Sequence, residues 1–485
     1  MKTIGQLFDG IEYTADQVCC DALIDRIGHD SREITRDGYP LFFAIRGVHC
    51  DANLCVDAVR NTNKNAIVVS EISHRNGIKV PKLDEVMAVV ARKFYDFPDD
   101  RMNIVAIAGT NGKSTIGFLL KQLLDRCGLF GTVAYDLGGQ ILAAANTTPL
   151  ALDFYKLLSK CEQNGCKSVV LEASSHALDQ KRIFGLATSI AIFTNLSHEH
   201  LDYHGTLENY FLAKKKLFTG ENGAMPEMSL VNIDDQYGRK LFGALGMNGQ
   251  RVYSFGFSPG ADFCIVDIKK NSLAGSAFTL RHENRDHNFE TKLFGTHNIS
   301  NVAACLAAAK LLGYDFDQLG SKLPMCVGAP GRLDGVPLGT GAMAFVDYAH
   351  TPDALRTVLA ALTEQPHGRM ITVFGCGGER DRTKRAPMAR VATAMSDYTI
   401  VTADNTRGEP LEQIFSDMRL GVTCAGTAIE FISDRYAAIK RAVELSQSGD
   451  IVLVAGRGHE NDHKIGGQIV HLNDKEALEE ISGEL

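Results

Sequence analysis

Ile104-Val-Ala-Ile-Ala-Gly-Thr-Asn-Gly-Lys-Ser-Thr115 is the stretch on which the architecture turns. Five apolar residues in a row read as a strand buried on both faces, which a sheet achieves when helices cover it. Gly109-Thr-Asn-Gly-Lys-Ser-Thr115 follows at once, and a helix is predicted over Thr115–Cys127, with Ile116, Leu119, Leu120, Leu123 and Leu124 on one side. Strand, glycine-rich turn, Gly-Lys-Ser and helix together are the context of a phosphate-binding loop. Glycines let backbone N–H groups close around phosphate oxygens, and the helix start adds partial positive charge. Gly109, Thr110, Asn111, Gly112 and Thr115 would form the cradle, Lys113 would reach the β- and γ-phosphates, and the Ser114 hydroxyl would ligate Mg²⁺. The usual spacing has a Gly where Ile107 stands, so the loop is a shortened variant.

Two more buried strands, SVVLEA (168–173) and SIAIFTNL (189–196), follow. Strand alternating with helix predicts a parallel sheet covered on both faces. Upstream, LFFAIRG (41–47) and NAIVVSE (65–71) read as strands and Leu83–Phe94 as a helix, with Asp96–Asp100 and its Pro98 as a linker. From about Gly331 a second α/β unit of Rossmann type is predicted. Its strands are AFVDY (344–348), MITVFG (370–375), YTIVTAD (398–404) and DIVLVAG (450–456), separated by helices at 352–363, 385–396 and 433–447.

The 485 residues suit about three domains. The formal charge of −8 argues against a protein that coats nucleic acid or anionic membrane. Twelve cysteines, at 19, 20, 50, 55, 127, 161, 166, 264, 305, 326, 376 and 424, include no C-x-x-C pair. They read as small hydrophobes of a reducing cytosol. With no signal peptide and no apolar run of about 18 residues, the expected location is the cytoplasm, without membrane insertion.

Polar groups collect after the strands. Glu172 ends SVVLEA at the carboxyl edge where open α/β sheets bind ligands, followed by Ser174, Ser175 and His176. Ser197–Gly205 carries three histidines and reads as a loop, with one His expected near the metal. His200 and His204 would match a zinc pair only on a helix. Taken alone, Lys214–Lys216 reads as a solvated helix face. Gly375–Asp381, Asp404–Arg407 and Gly456–Glu460 all follow strands, and Arg380, Arg382, Lys384 and Arg385 make the first of these loops look anion-receiving. Converging on one sheet edge, the three describe a second substrate site that faces the phosphate loop.

In order, these segments resemble the Mur ligase family. The strings carrying the resemblance are DSR (30–32), GTNGKST (109–115), NTTP (146–149), EASSHALDQKR (172–182) and FTNLSHEHLDYHG (193–205). They continue with YFLAKKKLF (210–218), THNISN (296–301), GRLDGV (331–336), VDYAHTPDAL (346–355), GCGGERD (375–381), DNTR (404–407) and GRGHE (456–460). The resemblance implies an α/β protein of three domains: a UDP-sugar-binding domain (1–99), a central P-loop ATPase domain (100–330) and a Rossmann-like amino-acid domain (331–485). It implies an ATP-dependent amide ligase that adds the third amino acid, meso-2,6-diaminopimelate, to UDP-N-acetylmuramoyl-L-alanyl-D-glutamate in peptidoglycan synthesis. An acyl phosphate would be the intermediate and the protein a monomer with no nucleic-acid partner. Ser31, Thr147, Thr148, Ser174, Gln180 and Arg182 would hold the UDP substrate. Asn298, Asn301, Arg332 and Asp347 would join the phosphate loop in binding ATP. Glu172, His200 and Lys214, the last as a CO₂-derived carbamate, would join Ser114 around Mg²⁺, since a carbamate turns a cation into the oxygen ligand a hard metal prefers. Arg380, Asp404, Asn405, Arg407, Gly456 and Glu460 fall to the amino acid.

Departures sit at Asp51-Ala-Asn53 for Asp-Gly-His, Glu199 for Asp before His200, Gly378-Glu-Arg-Asp381 for Gly-Asp-Arg-Asp, and Thr406 for Pro. In the family an Arg matching Arg407 accompanies diaminopimelate, whose distal carboxylate a guanidinium can grip in bidentate fashion. Glu460 could hold the distal ammonium. The competing arrangement pairs Arg407 with Glu409 or Asp404. The alternatives in function are an L-lysine-adding or paralogous ligase, or a folylpolyglutamate synthetase-type ligase, in which NTTP, SSH and DSR segments are not expected.

Overall fold

The computed structural model describes residues 1–47, 50–422 and 428–483. Cys424 lies outside them. Seven of the other cysteines are buried free thiols, while Cys19, Cys20 and Cys50 are exposed.

Three main sheets follow one another along the chain. The first has the order Thr14–Asp16, Gly77–Lys79, Ile67–Ser70, Pro40–Phe43, Arg26–Gly28, parallel except for its first pair. Leu41, Phe43 and Val69 face a core shared with Val86, Val90 and Ala91 of the helix Leu83–Phe94 and with Phe154 and Leu158 of the helix Ala151–Gln163. The first and central units are therefore packed through one continuous apolar layer. The expected linker at Asp96–Asp100 is instead a 3₁₀ turn, Pro98–Arg101, held inside: the buried Asp99 carboxylate accepts from Arg92 Nε and from Ala187 N, each at 2.8 Å.

The central sheet has eleven strands. Its middle is parallel, with Asn103–Ala108 between Ser168–Glu172 and Ile190–Phe193, and each of these is fully buried by helices on the two faces or begins at an exposed end. The expectation of an all-parallel sheet fails at the wings. Ala134–Asp136 and Ile141–Ala143 close one side as antiparallel strands, and Phe263–Ser272, Gly275–His282 and Arg285–Thr291 form an antiparallel meander on the other. The helix after the phosphate loop spans Lys113–Leu123, not Thr115–Cys127, because Cys127 already pairs with Ser168 in the sheet.

The third sheet has the order Asp334–Pro337, Met343–Asp347, Ile451–Ala455, Met370–Phe374, Tyr398–Thr402, Ala428–Ile432, and all but the first pair are parallel. The strand inserted from the end of the chain places Gly456–Glu460 between the loops after Asp347 and Phe374. Ligands in open α/β sheets bind at such carboxyl edges. Sequence reading missed the helix Leu411–Arg419, the strand Ala428–Ile432 and a hairpin, Asp462–Ile465 with Gln468–His471.

Candidate active site

The phosphate loop is braced by the end of the neighbouring strand. Thr110 N donates to Asn195 O and Asn111 N to Asn195 Oδ1, both at 2.9 Å, and Thr194 Oγ1 donates to Asn111 O at 2.7 Å. Gly109 and Gly112 have φ of +148° and +89°, and a Cβ would strike Thr194 Oγ1 at the first and Asn301 Oδ1 at the second. Only glycine meets both demands. Lys113 folds along the loop and donates to Gly109 O (3.0 Å) and Thr110 O (2.7 Å). Burial lowers its pKa, against the pull of Glu199 and Glu172.

Ser114 Oγ donates to Glu172 Oε1 at 2.9 Å, and Thr132 donates to the same carboxylate through N (3.0 Å) and Oγ1 (3.1 Å). Arg332, from across the interface between the central and third units, donates to Ser114 Oγ at 3.3 Å while lying over the Tyr348 ring. Buried Asp347 accepts from Leu333 N and Ala349 N, each at 2.8 Å, which shapes the turn that presents Arg332. A cavity of about 280 Å³ opens beside Gly112, lined by Asn298, Asn301, Arg332 and Asp347 among others. Amide side chains offer both donor and acceptor, the kind of edge a purine base presents.

Lys214 is buried rather than solvated, with Nζ donating to Gly109 O at 2.8 Å and lying 4.4 Å from the Tyr210 ring centre. Burial and then the charge of Lys113 push its pKa well below the usual lysine range, with Glu199 opposing. Lys216 pairs with Asp179 at 2.6 Å. The segment Ser197–Gly205 is not all loop: Leu201–His204 is one helical turn, with His200 at its N-cap in a left-handed conformation (φ +55°). His204 turns inward to Ser175 Oγ (3.0 Å), so the two histidines do not form a zinc pair. Among the described residues no group of three His, Cys, Asp or Glu gathers as a metal site. Burial brings the His200 ring down to about 3, opposed by Glu199 and reinforced by His176 and Lys214. Its ring is therefore neutral near pH 7, a lone-pair donor.

A second cavity, about 440 Å³, joins residues from both sides of the interface. Thr147, Ser174, Arg182 and His200 line one wall, and Arg380, Asp404, Asn405, Arg407, Gly456 and Glu460 the other. Thr148 donates to Glu172 O (2.7 Å) beneath the surface, and Arg182 donates to Thr148 O (2.8 Å) and to Gln180 Oε1 (2.7 Å), which orders the first wall. Ser31 lines neither cavity; it begins a 3₁₀ turn capped by Asp30 in the first sheet's unit. The expected anion-receiving loop is thinner than its charges suggested. Arg385 is fully buried and forks onto Glu409, also reaching Asp417, while Arg382 pairs with Asp417. Lys384 donates to His350 O at 2.8 Å, and of these four cations Arg380 is the one that is exposed and lines the cavity.

Arg385 pulls the Glu409 carboxyl down to about 2 and keeps it from Arg407. Arg407 pairs with neither Glu409 nor Asp404. Its Nη1 donates to Gly378 O (2.6 Å) and Asn405 O (3.3 Å). Asn405 Nδ2 donates to Glu460 Oε2 at 2.8 Å.

Sequence reading missed Glu199 and His350. Glu199 is largely buried at the interface, 2.9 Å from His350 Nε2 across it, and Tyr210 OH donates to its other oxygen at 3.4 Å. Burial raises the Glu199 carboxyl, but His350, His200 and Lys113 hold it well below the ordinary range. His198 and Asp381 make a second crossing at 3.1 Å. The only sequence signal for Glu199 was its place in a motif that usually carries Asp.

Comparisons with known proteins agree with this layout. Residues 107–309 match the Mur ligase middle domain, and residues 331–458 match the Mur ligase, glutamate ligase domain. A protein of Fusobacterium nucleatum named UDP-N-acetylmuramoyl-L-alanyl-D-glutamate–2,6-diaminopimelate ligase is 35% identical over 478 residues, 97% of this chain and 96% of its own. A solved structure of a ligase with that name is 32% identical with a TM-score of 0.70, covering 100% of this chain and 99% of its own. MurF ligase from Thermotoga maritima in complex with ADP, 18% identical over 96% of this chain and 98% of its own with a TM-score of 0.64, shares the fold. With a phosphate loop set against a carboxyl-edge cavity, and with full-length relatives of this similarity, the chain belongs to the Mur ligase family.

Proposed function

We propose that the chain is the ATP-dependent ligase that joins meso-2,6-diaminopimelate to UDP-N-acetylmuramoyl-L-alanyl-D-glutamate. The observation that carries this is the cavity of about 440 Å³ between the central and third units, with Thr147, Ser174 and Arg182 on one wall and Arg407 and Glu460 on the other. The units 1–99, 100–330 and 331–485 would receive the UDP moiety, ATP and the amino acid in turn, with Ser31 at the distant UDP end. Consuming ATP and a nucleotide sugar suits the cytoplasm.

A carboxylate is a poor acyl donor until its oxygen carries a good leaving group. Its oxygen attacks the γ-phosphorus, the bond to the β-bridging oxygen breaks, and ADP leaves. The amine of the incoming amino acid then attacks the acyl carbon, the carbon–oxygen bond to phosphate breaks, and the amine sheds a proton. The phosphate-loop N–H groups and Lys113 orient the triphosphate and offset charge on the moving phosphoryl group. Asn298 and Asn301 would meet adenine, and Arg332 reaches toward the phosphates through Ser114.

The donor set fits Mg²⁺: the Ser114 hydroxyl and the Glu172 carboxylate touch, and hard oxygens are what the ion prefers. Ser114, Glu172, His200 and Lys214 would hold it, and the bound ion would neutralise phosphate charge. Burial favours the neutral amine of Lys214, the form that would add CO₂ to become a carbamate.

Arg407 and Glu460 would read the distal end of diaminopimelate. The Nε–Nη2 edge of Arg407 has no hydrogen-bond partner among the described residues, while Nη1 is anchored on two carbonyls. That edge suits a bidentate carboxylate. A site built on such a contact rejects an analogue lacking it by large factors. Offered both amino acids with ATP and the UDP-dipeptide, the protein should use meso-diaminopimelate in preference to L-lysine, and Arg407→Ala should lose most of that preference. Equal or better use of L-lysine, or an unchanged preference in the variant, would overturn the assignment.

A further inference from the structure

Arg407 has φ +53°, a left-handed backbone that a non-glycine residue holds only when its surroundings impose it. The hairpin Asp462–Ile465/Gln468–His471 imposes it here. Arg407 N donates to Lys464 O at 3.1 Å, and Arg407 bridges Ile465 in parallel sense. Lys464 N donates to Asn405 Oδ1 at 2.8 Å, so this N–H is given to the loop. Gly466 N, at the hairpin tip, donates to Thr406 Oγ1 at 3.3 Å. On the inner side Asp462 O accepts from the buried Arg457 (2.8 Å), which anchors the hairpin's first strand to the residue between Gly456 and Gly458. Three consecutive loop residues, Asn405, Thr406 and Arg407, are each tied to the hairpin.

We propose that the hairpin Asp462–His471 is a specificity-determining support: through Lys464 and Gly466 it fixes the Asn405–Arg407 loop so that the guanidinium edge of Arg407 faces the cavity and receives the distal carboxylate of a diamino diacid. A proline at 406 would stiffen the loop from within its own chain. Thr406 does not, and it has what proline lacks, a hydroxyl that the hairpin tip reaches. The rigidity is supplied from outside the loop instead. Asn405 carries the same constraint to Glu460, which it holds by Nδ2, so both groups that would read the distal end depend on one support. Arg407 touches the substrate in this scheme; Lys464, Gly466 and Thr406 are positioning residues.

The inference rests on the proposed diaminopimelate reading, and the test separates the two. Lys464→Pro removes the N–H given to Asn405 at a strand edge where proline is tolerated, whereas Lys464→Ala keeps it. Thr406→Val removes the acceptor for Gly466 N, and Thr406→Ser keeps it. The ratio of kcat/KM for meso-diaminopimelate to that for L-lysine should fall about tenfold in Lys464→Pro and Thr406→Val. The loss should lie mainly in KM for diaminopimelate, with KM for ATP within about twofold of the parent protein. Lys464→Ala and Thr406→Ser should keep the parent ratio. An unchanged ratio in Lys464→Pro and Thr406→Val, or an equal fall in the two conservative variants, overturns the support. Failure of the unmodified protein to prefer diaminopimelate overturns the substrate reading on which it stands.

Discussion

Lys113→Ala should lower turnover by about 10²–10³-fold, equivalent to roughly 3–4 kcal/mol of lost transition-state stabilisation, and leave the melting temperature nearly unchanged. The asymmetry follows from what Lys113 touches. Among the described residues its Nζ donates to two carbonyls of its own loop, Gly109 O and Thr110 O, and its helix is seated by Ile116, Leu119, Leu120 and Leu123 instead. Little apolar burial is lost with it. Lys214 does not replace Lys113, because its own Nζ is turned to Gly109 O and burial beside Lys113 disfavours its charge. Single-turnover assays with ATP and the UDP-dipeptide, alongside thermal unfolding, decide it. Near-parental turnover in the variant would remove Lys113 from the reaction.

The second large effect belongs to Lys214. Lys214→Ala should lose about 10²-fold or more in kcat and recover in part with formate or acetate, small anions able to stand in for a missing oxygen ligand. The chemistry begins with burial. A charged ammonium enclosed beside Lys113 is unfavourable, and its pKa is pushed well below the usual lysine range, which favours the neutral amine. A neutral amine adding to CO₂ would form an N–C bond, lose a proton and leave an anion, which suits a Mg²⁺ ligand as a cation would not. Stripping dissolved CO₂ should slow the parent enzyme, and bicarbonate should restore it. A ¹³C resonance from labelled CO₂ should be present in the parent and absent in Lys214→Ala. A fully active enzyme carrying an unmodified amine would reject the carbamate.

The legible part of the fold was the part buried on both faces. Ile104–Ala108 and Ile451–Ala455 are short continuous apolar runs, and Met370–Phe374 is interrupted only by the buried Thr372; such runs read as strands covered on both faces. The meander Phe263–Thr291 was hidden because its strands are half-exposed and carry Lys269, Lys270, Arg281 and Asp286 along the open face. Within the site, the phosphate loop and Glu172 announced themselves by position after a strand. Glu199 and His350 did not, because their pairing comes from how two sheets meet, and neither segment alone encodes it. Arg382 and Arg385 misled for the opposite reason: a local cluster of positive charge looked like a ligand site, but Asp417 and Glu409, far along the chain, neutralise it. Thr406 in place of Pro carried no sign of the hairpin that braces the loop from outside.

The two glycines of the phosphate loop bear on how readily this protein could escape an inhibitor. At Gly109 and Gly112 the left-handed φ and the collision with Thr194 or Asn301 are separate barriers, so no replacement side chain satisfies both. A compound that took its hydrogen bonds from the backbone amides of this loop would meet a surface that point mutation cannot reshape without destroying the cradle. Resistance would be driven outward to positions such as Ala354 and Thr357 on the rim of the first cavity, where a side chain can change and the loop survive. Compounds built to avoid that rim would leave selection the fewest routes.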